Sequence, residues 1–126
     1  MQGLHILAEL HDCACERTLL HELPPLRALC LEACRTAGLG IVAETFHAFG
    51  TPESPSGATG AVVLAESHLA VHTWPEIGAV TLDLYVCNFS RDNSDAAGIC
   101  FDRLAAAFRP GRIVRRDVKR GAPSPE

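Results

Sequence analysis

The sequence predicts a two-layer α/β sandwich of the α+β type, with a mainly antiparallel sheet and helices on one face. Three observations lead to this fold class. Segments with strand and helix periodicity follow one another in the order strand, helix, strands, helix, strand. The clearest strand, Ala79–Cys87, has one apolar face and one polar face, as expected for a sheet covered on one side. With 126 residues and no dividing linker, we expect one domain over residues 1–120 and a flexible tail over 121–126.

The first two predicted elements are a strand and a helix. Residues 4–10 place Leu, Ile, Ala and Leu at alternate positions, which is the pattern of a half-buried strand. A Pro-Pro pair then interrupts a short helix over residues 18–22. Apolar residues recur at helical spacing over residues 26–37, and Gly38 is placed to end that helix. We expect it to lie over one face of the sheet.

The chain then returns to strand periodicity. Residues 41–49 alternate, so His47 and Phe49 point to the same side. Residues 50–60, GTPESPSGATG, are dense in Gly, Pro, Ser and Thr. This composition predicts a flexible loop on the surface or over a cleft.

Two short strands are predicted over residues 61–65 and 69–73, on either side of a Glu-Ser-His tripeptide at 66–68. A turn leads from the second of them into Ala79–Cys87. The polar face of that strand carries Cys87, and it would be available for a site or for a partner subunit.

The last elements are a helix and a weaker strand. Ser94 is placed to cap a helix that runs to about Phe108, and Pro110-Gly111 stops it. A strand over residues 112–118 follows.

Composition excludes several functional classes. The net charge of −4 and the scarcity of aromatic residues give little support to nucleic-acid binding, so a small-molecule substrate or a protein partner is expected. No stretch is long and apolar enough to cross a membrane, and the first ten residues lack the features of a signal peptide, which predicts a cytoplasmic location. The six cysteines are expected to be free thiols. Their C-x-C and C-x-x-x-C spacings do not match a zinc module, so no metal is predicted.

Ser67 allows three interpretations from its own surroundings. A serine in a turn is most often a cap or a solvated turn residue. A hydrolase nucleophile is disfavoured because no G-x-S-x-G elbow surrounds it. The third interpretation, a residue that processes its own chain, depends on the longer motif around it.

That motif is ESHLAVHTWPE at residues 66–76, followed by DLYVCN at 83–88 and preceded by TFHAF at 45–49. Together these segments resemble the prokaryotic S-adenosylmethionine decarboxylases, pyruvoyl-dependent enzymes made as proenzymes that cut themselves at a Glu-Ser bond. The resemblance covers nearly the full chain. It implies cleavage between Glu66 and Ser67 and a pyruvoyl group derived from Ser67. That group would hold the substrate amine as a Schiff base.

The resemblance also implies roles for three further residues in processing and catalysis. His72 matches the base of the elimination step, although alone it would be interpreted as a hydrogen-bonded core histidine. Thr59 matches a family serine that assists processing, and its interpretation as a simple turn residue stays equally open. Cys87 matches the proton donor of decarboxylation, although a cysteine at a strand end is usually a small core residue.

Substrate binding and assembly are implied in the same way. Phe49 matches the aromatic residue on which adenine stacks, and Glu76 matches the acid that binds the ribose hydroxyls. Phe46 and Trp74 are interpreted as packing residues outside the site. The family implies a homodimer of processed protomers, with sites near the interface.

The predicted reaction is decarboxylation of S-adenosylmethionine to decarboxylated S-adenosylmethionine, the aminopropyl donor for spermidine biosynthesis. One alternative is a pyruvoyl-dependent L-arginine or L-ornithine decarboxylase on the same scaffold, because the segment 50–60 lies where selectivity would be set. A second alternative is an uncleaved, catalytically silent subunit that regulates an active partner. No metal or nucleotide cofactor is implied.

Overall fold

A computed structural model of the chain describes residues 2–89 and 91–121. Six strands and three α-helices are present in these ranges: β1 Gly3–His11, α1 Arg17–His21, α2 Leu23–Thr36, β2 Ile41–Gly50, β3 Pro55–Leu64, β4 Ser67–Trp74, β5 Ala79–Cys87, α3 Ser94–Phe108 and β6 Arg112–Arg120. A short 3-10 helix, Pro75–Ile77, joins β4 to β5. Apart from Gly121, the predicted tail lies outside the described residues.

The strands form one sheet in the order β2-β3-β4-β5-β1-β6, and every neighbouring pair is antiparallel. The helices pack against one face of this sheet and bury the apolar residues of that face in a single core. The predicted α+β sandwich is confirmed. No helix among the described residues is long and apolar enough to span a membrane.

The core lies where the apolar positions of the strands meet the inner sides of α2 and α3. On β5 the alternation predicted from the sequence is observed, since Val80, Leu82, Leu84 and Val86 are all buried. From α3, Leu104 and Phe108 are fully buried against the same face. Within residues 2–89 and 91–121, no helix covers the other face of the sheet.

The prediction of a loop over residues 50–60 is wrong. Only residues 51–54 form a turn, and β3 already begins at Pro55. The glycines permit close approach across the sheet: a Cβ on Gly60 would lie 2.1 Å from Cδ1 of Phe46, and one on Gly57 would lie 3.0 Å from Cδ of Pro75. Glycine at these positions therefore makes room for neighbouring side chains in a regular strand.

Two helix starts also differ from the prediction. The Pro-Pro pair lies in the first turn of α2, which begins at Leu23, because proline is well tolerated where the helix has no preceding carbonyl to bond. The N-cap of α3 is Asn93, and Ser94 is its first helical residue. The Ser94 backbone N–H is bonded by the carboxylate of Asp92.

The uncovered side of the sheet is called the open face below. Strand pairing places on it residues from five neighbouring strands: His5, Leu7 and Glu9 of β1; Thr59, Ala61 and Val63 of β3; His68, Ala70, His72 and Trp74 of β4; Thr81, Asp83, Tyr85 and Cys87 of β5; and Val114, Arg116 and Val118 of β6. Most of the polar chemistry noted in the sequence lies on this face.

Candidate functional site

The Glu66-Ser67 peptide bond lies at the end of a tight hairpin. β3 ends at Leu64 and β4 begins at Ser67, so Ala65 and Glu66 alone make the turn. Ser67 pairs with Leu64 on one side and with Val86 of β5 on the other. Since Cys87 follows Val86, the chain brings Glu66, Ser67 and Cys87 to the same edge of the sheet.

A buried asparagine joins the turn to the end of β5. The side-chain amide of Asn93 donates to Oε2 of Glu66 at 3.2 Å and to the carbonyl oxygen of Cys87 at 2.9 Å. Glu66, Ser67, Arg91 and Asn93 line a small cavity of about 100 Å³ here. Alternation along β4 places the Ser67 side chain on the helix side of the sheet, toward this cavity.

Next to Cys87 on the open face lies a histidine–aspartate cluster, made of His5, His68 and Asp83. Oδ1 of Asp83 lies 2.6 Å from Nε2 of His5 and 3.5 Å from Nε2 of His68. The Tyr85 ring is 5.7 Å from each imidazole ring. Asp83 therefore orients His5 by a hydrogen bond, with His68 at ion-pair distance, beside the Glu66-Ser67 turn.

Tyr85 links this cluster to Cys87. Burial and a hydrogen bond with Cys87 raise the pKa of the Tyr85 hydroxyl, so the phenol keeps its proton at neutral pH. The guanidinium of Arg120 lies 4.3 Å from the centre of the Tyr85 ring, a cation–π distance.

His5, His68 and Asp83 also offer three ligand atoms within 4.8 Å of one another. Two imidazoles and a carboxylate would suit a transition-metal ion such as zinc. In the structure the short His5–Asp83 contact already uses the carboxylate oxygen in a hydrogen bond. As it stands, His5 and Asp83 form a hydrogen-bonded pair and His68 lies beside them.

A second group, the aromatic cluster, lies farther along the open face and contains His47, Phe49, His72 and Trp74. The His72 ring stacks on Trp74 with centroids 4.0 Å apart, and it lies 5.4 Å from the Phe49 ring. The ring centroids of His47 and Phe49 are 5.0 Å apart, so both side chains lie on the same side of β2, as alternation predicts. A planar aromatic ligand could stack beside these rings.

Two hydroxyl groups and one carboxylate border the aromatic cluster. Thr59 pairs with His72 across β3 and β4, and its hydroxyl donates to the Val71 carbonyl at 2.9 Å. Trp74 Nε1 donates to the hydroxyl of Thr81 at 3.0 Å. Glu76, in the 3-10 helix just after Trp74, is exposed.

Ser67 and the aromatic cluster are well separated within one chain. Ser67 pairs with Val86 and His72 with Thr81, so the two positions are five residues apart along an extended strand. At roughly 3.4 Å per residue this is about 17 Å. An open groove of about 620 Å³, bordered by His72, Thr81 and Asp83, occupies the middle of the open face. A single chain therefore does not bring His72 to Ser67.

The Glu-Ser turn beside a thiol can be compared with known proteins. A family model described as S-adenosylmethionine decarboxylase matches residues 4–121. The chain belongs to the S-adenosylmethionine decarboxylase family. This family consists of carboxy-lyases, and the resemblance seen in the sequence is confirmed.

Relatives in the S-adenosylmethionine decarboxylase family match over most of their length. A Pelotomaculum thermopropionicum protein is 34% identical over 92% of this chain and 87% of its own, and an Acidithiobacillus ferrooxidans protein is 38% identical over 94% and 82%. Both are named S-adenosylmethionine decarboxylase proenzyme. The crystal structure of the Aquifex aeolicus adenosylmethionine decarboxylase superposes with a TM-score of 0.85 at 32% identity, over 98% of this chain and 94% of that one.

For this member of the S-adenosylmethionine decarboxylase family, the interpretation of Trp74 as a packing residue is wrong. Trp74 stacks on His72 on the open face and is 36% exposed. Phe46 does pack against the core, as predicted.

Several residues of the site were not found from the sequence, namely His5, His68, Asp83, Tyr85 and Asn93. Alternation places the first four on polar strand faces. It does not reveal that β1 pairs with β5 and so brings His5 to Asp83, 78 residues later. Asn93 had only the signal of a polar residue before a helix.

Proposed function

We propose that the protein is a self-processing, pyruvoyl-dependent decarboxylase that converts S-adenosylmethionine to decarboxylated S-adenosylmethionine, the aminopropyl donor of spermidine synthesis. The observation that carries this proposal is the position of the Glu66-Ser67 bond. It lies in a two-residue turn beside Cys87, in a family whose named relatives are proenzymes.

Cleavage would use side chains of the protein and one molecule of water. The Ser67 hydroxyl attacks the carbonyl carbon of Glu66, the peptide C–N bond breaks, and an ester joins the two segments. His72 of the partner subunit then removes the Cα proton of residue 67, and the new main-chain carboxylate of Glu66 leaves to give dehydroalanine. Addition of water and loss of ammonia convert that residue to the pyruvoyl group. Thr59, beside His72, is proposed to assist through its hydroxyl.

The residues around the turn fit such a group. β4 is paired with β3 on one side and β5 on the other, so the new end at residue 67 stays in the sheet. Glu66 is held separately by Asn93. Breaking one bond in the turn therefore leaves both new ends attached to the same core.

A pyruvoyl group at residue 67 would supply a carbonyl that condenses with the substrate amine and draws electrons from the bond to the carboxylate. Cys87, beside the turn on the open face, is proposed to donate a proton to the carbon that loses carbon dioxide. Phe49 is proposed to stack on the adenine, and the exposed carboxylate of Glu76 to accept hydrogen bonds from the ribose hydroxyls.

The separation of Ser67 from the aromatic cluster supports a homodimer. Because His72 lies about 17 Å from Ser67 along β4, a second copy facing the first would be needed to bring His72 of the partner subunit to the turn. The open face also exposes apolar side chains, among them Leu7, Val63, Val114 and Val118. A second copy packed on this face would remove these side chains from water.

The named relatives act on S-adenosylmethionine by their titles, so the arginine and ornithine alternative is not favoured. The test is to purify the fresh protein, follow its intact mass, and measure carbon dioxide released from S-adenosylmethionine, L-arginine and L-ornithine. We expect two chains separated between Glu66 and Ser67, a carbonyl that reacts with hydroxylamine, and release from S-adenosylmethionine. Ser67→Ala is the uncut control. A wild-type chain that stays whole would instead support the silent-subunit alternative.

A further inference from the structure

The segment between β5 and α3 makes a second connection to the cleavage turn, through Asn93. This residue is only 5% exposed. Its amide nitrogen bonds both the Glu66 carboxylate and the Cys87 carbonyl, so one side chain joins the residue before the scissile bond to the residue carrying the thiol. Neither the proposed cleavage chemistry nor the proposed decarboxylation uses this side chain.

The position of Asn93 makes this use of its side chain unusual. Asn93 is the N-cap of α3, where an asparagine normally accepts a hydrogen bond from the first helical turn. Here the side chain makes no cap hydrogen bond. The Asp92 carboxylate instead accepts a hydrogen bond from the Ser94 N–H at the start of the helix. Asn93 thus gives up a stabilising helix cap and instead binds the turn that contains the proposed cleavage bond. This choice indicates that its side chain has a function at that turn.

Arg91 fixes the orientation of the Asn93 amide. Its Nε donates to Oδ1 of Asn93 at 2.8 Å, and its Nη2 donates to the Gly38 carbonyl at 2.8 Å. Because a guanidinium can only donate, the oxygen of the amide faces Arg91 and the nitrogen faces Glu66. The backbone N–H of Asn93 is also held, by Oδ1 of Asn88.

Cleavage changes the charge at this point. Cleavage creates a main-chain carboxylate at Glu66, next to the side-chain carboxylate of the same residue. These two negative groups then share the small cavity lined by Arg91 and Asn93. The guanidinium and the N-terminal end of the 15-residue helix α3 both favour negative charge there. The same groups that hold the precursor turn thus suit the cleaved product.

We infer that Asn93 is a positioning residue for self-cleavage, which holds Glu66 so that its carbonyl stays in reach of the Ser67 hydroxyl, with Arg91 orienting its amide. This inference rests on the proposed cleavage between Glu66 and Ser67. It predicts that removing the donor, while keeping the contact with Arg91, slows cleavage.

The substitution Asn93→Asp separates these roles. It keeps the size of the side chain and the acceptor for Arg91. It places a carboxylate against Glu66 and against the Cys87 carbonyl. Because hydrogen bonds to charged groups are among the stronger ones, we expect cleavage of purified precursor to slow by about tenfold to a hundredfold.

Asn88→Asp is the matched control. It makes the same change of charge in the same segment and keeps the acceptor for the Asn93 N–H, but Asn88 contacts Ser94 and not Glu66 among the bonds described. We expect it to cleave at the wild-type rate. Urea unfolding of Asn93→Asp in a Ser67→Ala background, where no cleavage occurs, defines the conditions in which the variant is folded, and cleavage rates are compared under those conditions.

Two further readouts would not change if Asn93 were merely structural. Between pH 8 and pH 5 the deficit of Asn93→Asp should shrink, because a proton shared between the facing carboxylates restores a donor. The double variant Glu66→Gln/Asn93→Asp exchanges donor and acceptor and should cleave faster than Asn93→Asp.

The outcomes are distinguishable. If the wild-type chain does not cleave, the proposed function fails. If the wild type cleaves and a folded Asn93→Asp cleaves equally fast, only the role of Asn93 is overturned. If Asn93→Asp does not fold, the double variant Glu66→Gln/Asn93→Asp is compared with Glu66→Gln/Asn93→Ala. Cleavage of the first no faster than cleavage of the second would overturn the role of Asn93.

Discussion

Co-expression of Ser67→Ala chains with His72→Ala chains should restore cleavage that neither variant shows alone. In one chain, Ser67 and His72 are five residues apart on the fully paired strand β4, about 17 Å and several times the length of a histidine side chain. In a two-fold dimer, each turn would instead receive His72 of the partner subunit. A mixed dimer then contains one site with both residues and one with neither.

The size of the effect follows from random pairing. Equal amounts of the two chains give about half mixed dimers, so about half of the His72→Ala chains should be cleaved, and none of the Ser67→Ala chains. If each chain processed itself, both would stay whole, because every chain lacks one of the two residues.

The assay uses two affinity tags, sequential purification of the mixed dimer, and intact mass of both chains. The matched control pairs Ser67→Ala with Cys87→Ala and measures carbon dioxide release. Cys87 lies beside Ser67 of its own chain, so this pair should restore no decarboxylation. A purified mixed dimer of Ser67→Ala and His72→Ala that stays uncut would refute the assignment of the two residues to different chains.

Other predictions concern catalysis, binding, packing and thiol chemistry. Cys87→Ala should still cleave but release carbon dioxide about a hundredfold to ten-thousandfold more slowly, measured per labelled carbonyl. Phe49→Ala should raise KM for S-adenosylmethionine by about tenfold to a hundredfold with a smaller change in kcat, because a stacking partner is lost. In the uncut Ser67→Ala chain, Leu104→Ala, in the core and fully buried, should lower the free energy of unfolding by about 2–5 kcal/mol in urea, whereas Ile99→Ala on the same helix, 50% exposed, should change it little. Burial raises the pKa of the Cys13 thiol from 9.0 to about 11. At pH 8, iodoacetamide should therefore alkylate Cys13 about a hundredfold more slowly in the folded protein than in guanidinium, and the rate in the folded protein should rise as the pH approaches 11. Equal rates in the two conditions would contradict this burial.

The elements with strong periodicity were predictable. On β5, four alternating apolar residues predicted which face is buried, and the structure buries all four. The motif around Ser67 likewise predicted the family, because a run of specific side chains is read directly from the chain. Local composition misled at β3, where glycines that fit beneath Phe46 and Pro75 looked like a flexible loop.

What the sequence by itself determined was the set of reactive groups, the family, and the faces on which alternation places them. Only the tertiary structure decided which strands are neighbours, and with that the meeting of His5 with Asp83, the stacking of Trp74 on His72, and the distance between His72 and Ser67. The physical reason is that alternation is set by the local backbone, whereas pairing and register depend on how the whole sheet packs against its helices. Asn93 shows the same limit, since its local position predicts a helix cap and its contacts with Glu66 and Cys87 arise only in the folded chain.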